Sequence, residues 1–205
     1  GYLSGAASAL HNIGTVHNEQ GRNDKALEYY EKSLEIARKL GDEASTARTL
    51  ANIGSVHKAQ GRYDKALEYY EKSLEIARRI SDESTTAKAL LNIGTVHNEQ
   101  GRNDKALEYY EQALEITRRL GDEAVTAMAF NNIGIVHKAQ ERPEKALEYY
   151  EMSLEIARRL GDESNAARTL NNIGSVHNEQ GRNDKALECY EKALEITRRL
   201  GDEAR

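Results

Sequence analysis

The sequence is short of the residues and patterns that define several classes of protein. Cys189 is its only cysteine, which excludes an intrachain disulfide and removes any need for an oxidising compartment. No apolar stretch approaches the roughly 20 residues that span a bilayer, and no signal-peptide pattern opens the chain. There is no run of five or more basic residues and the net charge is −5, which argues against nucleic acid as a partner. We therefore expect a cytoplasmic protein that binds neither membranes nor nucleic acids.

The apolar residues that are present recur with a fixed period of forty residues. Residues 14–30 return unchanged as residues 94–110, and closely related segments begin at Gly54, Gly134 and Gly174. A composition of 39% hydrophobic and 31% charged residues could indicate disorder, but a disordered chain has no reason to keep helical spacings. Such a period is typical of stacked supersecondary units that bury their apolar faces only against their neighbours. Function is then expected on a surface that several units share.

Each period contains two helical patterns. In the first period they cover roughly residues 8–20 and 24–40, where apolar residues follow three-and-four spacing. The joint Gly21-Arg22-Asn23 is expected to end the first helix and to offer Asn23 as the cap of the second, and Gly41-Asp42 repeats these roles in two residues. Pro143 falls at a helix start, where its missing N–H is not needed. Joints this short predict that consecutive helices are antiparallel neighbours.

Two small residues mark the place where the helices of a pair are expected to meet. Gly14 and Ala26 carry no bulk, so the helix axes can approach within about 8–10 Å. Replacing the equivalent Gly94 with leucine should overpack the pair and destabilise the protein by about 1–3 kcal/mol.

The spacing Leu10-x2-Ile13-Gly14-x2-His17, followed by Ala26-x3-Tyr30, resembles the tetratricopeptide repeat. The resemblance implies an all-α fold, a right-handed superhelical solenoid of antiparallel helix pairs with a concave groove lined by the first helix of each pair. Three features depart from the family pattern: the period exceeds thirty-four residues, Leu10 and His17 replace the usual tryptophan and tyrosine, and the closing proline is absent. The longer units resemble those of kinesin light chains and of Pins/LGN-type adaptors. We expect a single domain of five repeats, a fragment of a longer array, with units near 1–41, 42–81, 82–121, 122–161 and 162–205.

One asparagine recurs at a fixed position in the first helix of every unit. Asparagine is a mediocre residue for a helix interior, so its presence in each unit requires a reason. One interpretation is that each amide offers donors and an acceptor to the backbone of an extended peptide, as the family resemblance implies. The other is that the amides bond across adjacent repeats and set their register. We favour peptide contact, because neighbouring positions vary from unit to unit while the asparagine stays. The five residues are Asn12, Asn52, Asn92, Asn132 and Asn172.

Cations flank this column of asparagines. Three of them lie four residues before the asparagine of their unit, one turn away on the same helix face, namely Arg48, Lys88 and Arg168. Lys58 and Lys138 lie further along the same helices. The pattern predicts a groove that favours acidic or carboxylate-bearing peptides. The alternative is that these cations are solvated surface charges. Glu19, Glu99 and Glu179 also reduce the positive potential of the groove.

A histidine also recurs in every unit, at 17, 57, 97, 137 and 177. Equivalent atoms of neighbouring units are expected about 8–10 Å apart, whereas zinc holds its ligands at about 2.0–2.3 Å. We therefore expect these histidines to pack rather than to bind a metal. Residues that occur only once form no nucleophile–base pair, Cys189 replaces a repeated tyrosine, and no phosphate-binding loop is present. The sequence predicts no enzyme and no cofactor.

Odd and even units differ, and the last unit ends on an interior pattern. His-Asn-Glu-Gln occurs at 17, 97 and 177 but His-Lys-Ala-Gln at 57 and 137, an eighty-residue super-period. The final helix keeps the apolar residues of an interior helix, so we expect that the natural protein continues beyond Arg205 or that copies stack end to end. The function favoured is a protein-interaction module that binds an extended protein or peptide segment. The alternative is a structural spacer or an array that self-associates end to end.

Overall fold

The computed structural model describes residues 2–203, with side chains described for residues 2–201. Within these residues the secondary structure is helical throughout, and no strand is found there. The helices are α1 (Tyr2–Glu19), α2 (Asn23–Leu40), α3 (Glu43–Ala59), α4 (Tyr63–Arg79), α5 (Glu83–Glu99), α6 (Asn103–Leu120), α7 (Glu123–Ala139), α8 (Pro143–Leu160), α9 (Glu163–Glu179) and α10 (Asn183–Glu203). The all-α class predicted from the sequence is confirmed.

The predicted helix joints are confirmed except for one cap. Gly41 ends α2 with a φ of 66°, and the side chain of Asp42 accepts the backbone N–H of Ser45 at 3.0 Å to cap α3. Pro143 opens α8, as predicted. The prediction that Asn23 caps α2 is wrong: Asn23 is already helical, and Arg22 precedes the helix without a side-chain cap. The first helix also begins at Tyr2, earlier than its apolar pattern indicated.

The helices form two compact units, each larger than a single repeat. The first unit comprises the described residues up to Gln100, and the second comprises those from Gly101 onward. In the first unit, the Tyr30 hydroxyl donates to Thr15 Oγ1 at 3.1 Å and the Ser33 hydroxyl to the carbonyl of Ala7 at 2.8 Å. Contact moves backward along α1 as it moves forward along α2, so this pair is antiparallel. The same two bonds recur between α3 and α4, from Tyr70 and Ser73.

The predicted close approach of paired helices occurs at the glycine. A Cβ atom added to Gly14 would lie 2.7 Å from the ring of Tyr30, and one added to Gly54 would lie 2.8 Å from Tyr70 and 3.2 Å from the Ala66 carbonyl. In the second unit, Gly134 and Gly174 meet tyrosine rings in the same way. The main partner of the glycine is therefore a buried tyrosine of the next helix.

Successive pairs stack through an apolar seam within each unit. In the first unit the α2–α3 seam joins Leu27, Tyr30 and Leu34 of α2 to Leu50, Ile53 and Val56 of α3. In the second unit the α8–α9 seam is built from the equivalent residues, Leu147, Tyr150 and Leu154 of α8 with Leu170, Ile173 and Val176 of α9. This packing leaves one stripe of each odd-numbered helix free of the core, and the predicted site residues lie on that stripe.

Candidate functional site

The predicted binding residues of the first unit form one surface on the odd-numbered helices. Arg48 of α3 and Lys88 of α5 are exposed, while Asn52 and Asn92, one turn later, are partly exposed. Helices α3 and α5 contact each other, so the two stripes lie side by side. We call these four residues the amide–cation face. Neither cation forms an ion pair with another side chain in the described part of the chain. The face thus presents, beside two amides, two positive charges that have no ion-pair partner among the described side chains.

Asn12 lies on the same stripe of α1 and is exposed. In the second unit, Asn132 of α7 and Asn172 of α9 are partly exposed. Arg168 donates to the side chain of Asn165 on its own helix at 2.8 Å. The position equivalent to Arg48 is Met128 on α7, whose side chain is exposed, so the second unit offers fewer charges along its stripe.

Asn52 is tied to the preceding repeat by a buried histidine. Its amide nitrogen lies 3.1 Å from Nε2 of His11, and Nδ1 of His11 lies 3.1 Å from the hydroxyl of Thr49. Because an amide nitrogen only donates, Nε2 accepts and the ring proton sits on Nδ1, facing Thr49. Burial lowers the pKa of His11, and the positive charge of Arg48 lowers it further. The lowered pKa favours the neutral ring that this pair of bonds requires.

Asn172 makes the same kind of bond in the second unit. Its amide nitrogen donates to Oδ1 of Asn131 at 2.9 Å, and the Thr169 hydroxyl lies 3.4 Å from the same oxygen. Asn131 is fully buried, and its own amide nitrogen has no partner in the described part of the chain. Asn131 therefore occupies in α7 the place that His11 occupies in α1. Both networks join residues 38 and 41 positions apart.

The sequence did not identify His11 and Asn131 as members of the site. The signal that could have found them is an offset of 41 residues instead of the 40 of the repeat. The hydrogen-bond partner lies in the preceding repeat, one residue before the position that is equivalent to the asparagine. The residue 41 positions before Asn92 is Ala51, whose apolar side chain cannot accept a hydrogen bond. Consistent with this, the amide of Asn92 has no side-chain hydrogen bond within residues 2–201, and the amide of Asn132 has none there either.

Lys58 and Lys138 are engaged in ion pairs between neighbouring odd-numbered helices. Lys58 Nζ lies 3.5 Å from Glu99 Oε1. Lys138 Nζ lies 2.8 Å from Glu179 Oε1 and donates to the hydroxyl of Ser175 at 2.7 Å. The glutamates thus neutralise these two lysines. A ligand would reach either lysine only in competition with the pair.

The repeated histidines pack against repeated tyrosines. His17, His57 and His137 each stack on a tyrosine of the next helix, with ring centroids 5.3 Å apart and planes within 22°. Burial lowers the pKa of His57 and of His137. Across the described residues, no group of three or more histidine, cysteine, aspartate or glutamate side chains is arranged to hold a metal ion. The histidine column is thus part of the helix-pair packing.

Cys189 stands where the other units have the stacking tyrosine. It is partly buried against the core of α8, α9 and α10. Burial raises the pKa of its thiol, which keeps it protonated and poorly nucleophilic near neutral pH. Over residues 2–203, none of the helices is both long and apolar enough to cross a membrane.

Comparison with known proteins agrees with the geometry. No curated protein matches the chain. Among solved structures, it is similar to BtubC (BKLC) from P. vanneervenii, with a TM-score of 0.80 and 24% identity over 97% of this chain and 82% of that one. It is also similar to a putative kinesin light chain of Podosopora anserina with nearly identical TPR-like repeats, with a TM-score of 0.70 and 16% identity over 97% of both chains.

A third similar structure is the Rap conjugation gene regulator of the plasmid pLS20, solved in complex with the Phr* peptide. The TM-score is 0.83 and the identity 22%, over 94% of this chain and 53% of that one, so this chain spans about half the length of the regulator. At these identities the structures support the fold, a helical solenoid, as the sequence predicted. The tetratricopeptide repeat model matches residues 5–79, 85–159 and 165–205. The chain therefore belongs to the tetratricopeptide repeat family.

Proposed function

We propose that this chain is a non-catalytic, cytoplasmic adaptor module that binds an extended peptide along the exposed stripes of its odd-numbered helices. The observation that carries the proposal is the amide–cation face, where Arg48 and Lys88, beside Asn52 and Asn92, have no ion-pair partner among the side chains of residues 2–201. The pLS20 regulator, which shares the fold, was solved with a peptide bound. That precedent supports a peptide as the class of ligand.

The chemistry of the face favours an extended acidic segment. An asparagine amide has two donors and an acceptor, which match the N–H and C=O groups of an extended backbone. The exposed guanidinium of Arg48 and ammonium of Lys88 would pair with carboxylates of the ligand through charge-assisted hydrogen bonds. Lys58 and Lys138 contribute less in this proposal, because glutamates already neutralise them.

The asparagines divide into two classes that an experiment can separate. Asn52 and Asn172 bond to the preceding repeat, so removing either amide breaks a partly buried hydrogen bond worth about 0.5–1.5 kcal/mol. Asn92 and Asn132 make no side-chain hydrogen bond within residues 2–201, so alanine there should leave stability unchanged. A loss of binding at Asn92 and Asn132 would then report on the ligand alone.

The experiment is selection of a randomised peptide display library on the parent chain and on the double variant Asn92→Ala/Asn132→Ala. We expect a motif enriched on the parent and lost on the double variant, while the thermal melts of the two proteins agree. Asn52→Ala/Asn172→Ala is the comparison for stability alone: the same two substitutions there break hydrogen bonds, so its melting temperature should fall while that of Asn92→Ala/Asn132→Ala does not. If no motif is enriched on the parent, peptide binding is refuted and the stripes serve packing and spacing.

The acidic preference is tested with the charges of the amide–cation face. Arg48→Gln/Lys88→Gln removes both unpaired cations, and Lys58→Gln/Lys138→Gln removes two paired ones as the control. We expect the first variant to weaken binding of the selected peptides by at least tenfold at low salt, and the control to change it much less. Enrichment of basic peptides, with affinity insensitive to salt, would contradict the acidic preference while leaving peptide binding intact.

A further inference from the structure

Helix α7 is apolar along its exposed stripe, where the equivalent stripes of α3, α5 and α9 are polar. Met128 is 42% exposed and stands at the position of a cation, and the partly exposed Ile135, two turns later, stands at the position of a hydroxyl residue. In α3, α5 and α9 the cations are Arg48, Lys88 and Arg168, and the hydroxyl residues are Ser55, Thr95 and Ser175. We call the surface of Met128 and Ile135 the apolar α7 stripe.

The isoleucine also deprives a buried tyrosine of its usual hydrogen-bond partner. In the first unit the hydroxyl of Tyr70 donates to Ser55 at 3.0 Å. Tyr150 is the equivalent tyrosine of α8, and its ring lies against Gly134, the residue before Ile135. Tyr150 is 1% exposed, and its hydroxyl forms no hydrogen bond with any of the described residues. The hydroxyl oxygen is nevertheless not closed off from solvent, so a ligand can reach it.

The Tyr150 hydroxyl is available as a donor. Burial raises its pKa, and the negative charge of Glu179 raises it further, so the hydroxyl keeps its proton near neutral pH. The amide of Asn132, on the stripe between Met128 and Ile135, is likewise without a side-chain hydrogen bond within residues 2–201. Unpaired donors beside apolar side chains suit a peptide, because its backbone carbonyls need hydrogen bonds wherever its apolar side chains exclude water.

A cation lies next to the apolar α7 stripe on the neighbouring helix. The side-chain bonds between α7 and α9 join residues 37 to 41 positions apart. The same offset places Met128 alongside residues 165–169, which include Arg168. Arg168 is exposed and forms no ion pair among the described side chains. A carboxylate of the ligand that pairs with Arg168 would therefore bring an apolar neighbour onto Met128.

We infer that the apolar α7 stripe binds an apolar side chain of the peptide ligand, and that the Tyr150 hydroxyl donates to a backbone carbonyl beside it. This inference rests on the proposed function and names the ligand more closely, as an acidic peptide with an apolar residue beside a carboxylate. The equivalent stripes of α3 and α5 present a cation and a hydroxyl in place of the apolar pair. Helix α7 therefore determines a specificity that these repeats lack.

Exchanging residues between repeats tests the specificity. Met128→Arg/Ile135→Ser gives α7 the residue types of α9, and Arg48→Met/Ser55→Ile gives α3 those of α7. We expect the parent to enrich peptides with one apolar position in a randomised display library. Met128→Arg/Ile135→Ser should lose that position and keep the rest of the motif, with affinity for the parent's selected peptides about tenfold lower. Arg48→Met/Ser55→Ile should gain a further apolar position. Met128→Arg alone is the second variant, because Ile135 also packs against the core.

The outcomes separate this inference from the proposed function. A parent motif without an apolar position, or an apolar position that persists on Met128→Arg, would overturn the inference and leave peptide binding intact. No enriched motif on the parent would refute the proposed function and the inference with it. Sedimentation velocity of the parent without peptide checks a second copy as the occupant. Self-association that Met128→Arg abolishes would also overturn the inference.

Removing one hydroxyl tests the donor. Tyr150→Phe deletes a hydroxyl without a partner in the described part of the chain, so thermal melts should match the parent while affinity for a selected peptide falls about three- to tenfold. Tyr70→Phe is the matched control for stability, because it breaks the bond to Ser55 and should lower the melting temperature. Fluorescence anisotropy with a labelled selected peptide measures the affinity. A Tyr150→Phe variant that binds as tightly as the parent would overturn the role of the hydroxyl.

Discussion

Replacing Gly134 with alanine is the sharpest test of the packing between paired helices. The added methyl carbon would lie 2.6 Å from Cε1 and 2.7 Å from Cδ1 of Tyr150. Carbon atoms in contact are normally about 3.5–4.0 Å apart, so the helix or the ring must shift. Tyr150 is 1% exposed and packs in the α8–α9 seam, which leaves the ring no free space to enter.

Two opposing effects set the magnitude of the change. Alanine is a better helix former than glycine by about 1 kcal/mol, which favours the variant. Overpacking a filled core typically destabilises by about 1–3 kcal/mol, and an overlap of this size points to the upper end. We expect a net loss of about 1–2 kcal/mol in the free energy of unfolding. For a chain of this length that loss lowers the melting temperature by about 2–8 °C.

Thermal melts followed by circular dichroism measure the effect, with two comparisons. Gly5→Ala is the same substitution at an exposed helical glycine whose added Cβ meets no atom within 4 Å, so it should be neutral or stabilising. In a Tyr150→Leu background the ring is gone, and Gly134→Ala should lose most of its destabilising effect. If Gly134→Ala is as stable as the parent, the geometry of the glycine–tyrosine contact is refuted.

Three further predictions concern helix ends and titration. Glu141 has a φ of 57° at a position where the other repeats have glycine. Because a left-handed conformation is costly for a residue with a side chain, Glu141→Gly should raise the free energy of unfolding by about 1 kcal/mol. Denaturant titrations measure this change, and an unchanged midpoint would contradict it. Asp82 caps α5 through the N–H of Thr85 at 3.0 Å, and Asp82→Ala should lower stability by about 0.5–2 kcal/mol. Burial lowers the pKa of His57 in the folded chain, so the unfolded chain takes up the proton more readily and stability falls as pH drops below 6.5. His57→Phe should make the stability of the protein less dependent on pH in that range, and an unchanged pH dependence would contradict the burial argument.

The helices and most of their joints were predictable because local chemistry determines them. The apolar period marks both helices of a pair, and Gly41-Asp42 supplies a left-handed residue and a cap whatever the distant packing. The prediction at Asn23 failed because α2 begins one residue earlier than an asparagine cap requires, which places Arg22 at the capping position without a side-chain hydrogen bond. The partner of the repeated glycine depended on tertiary packing, because only the structure places the Tyr30 ring against it.

The candidate site was predictable as columns of residues but not as pairs. The period aligns residues 40 positions apart, whereas the observed bonds join Asn52 to His11 and Lys58 to Glu99, each 41 apart. This offset depends on how neighbouring odd-numbered helices lie against each other, and no local pattern contains it. As a result, five equivalent asparagines differ in their bonding, and two lysines that looked free are paired.

The offset also gives the contacts between nearly identical repeats different polar bonds. An apolar seam of leucine, isoleucine, valine and tyrosine is the same in both units, so it cannot distinguish one neighbour from another. The polar bonds do distinguish them. The contact of α1 with α3 has the His11 network, that of α3 with α5 has the Lys58–Glu99 pair, and that of α7 with α9 has both an Asn131 network and a lysine pair. A repeat placed against the wrong neighbouring repeat would leave a buried histidine or asparagine without its hydrogen-bond partner, which disfavours that arrangement. The alternation of Lys-Ala, at 58–59 and 138–139, with Asn-Glu, at 98–99 and 178–179, therefore makes the contacts between odd-numbered helices differ where their apolar residues do not.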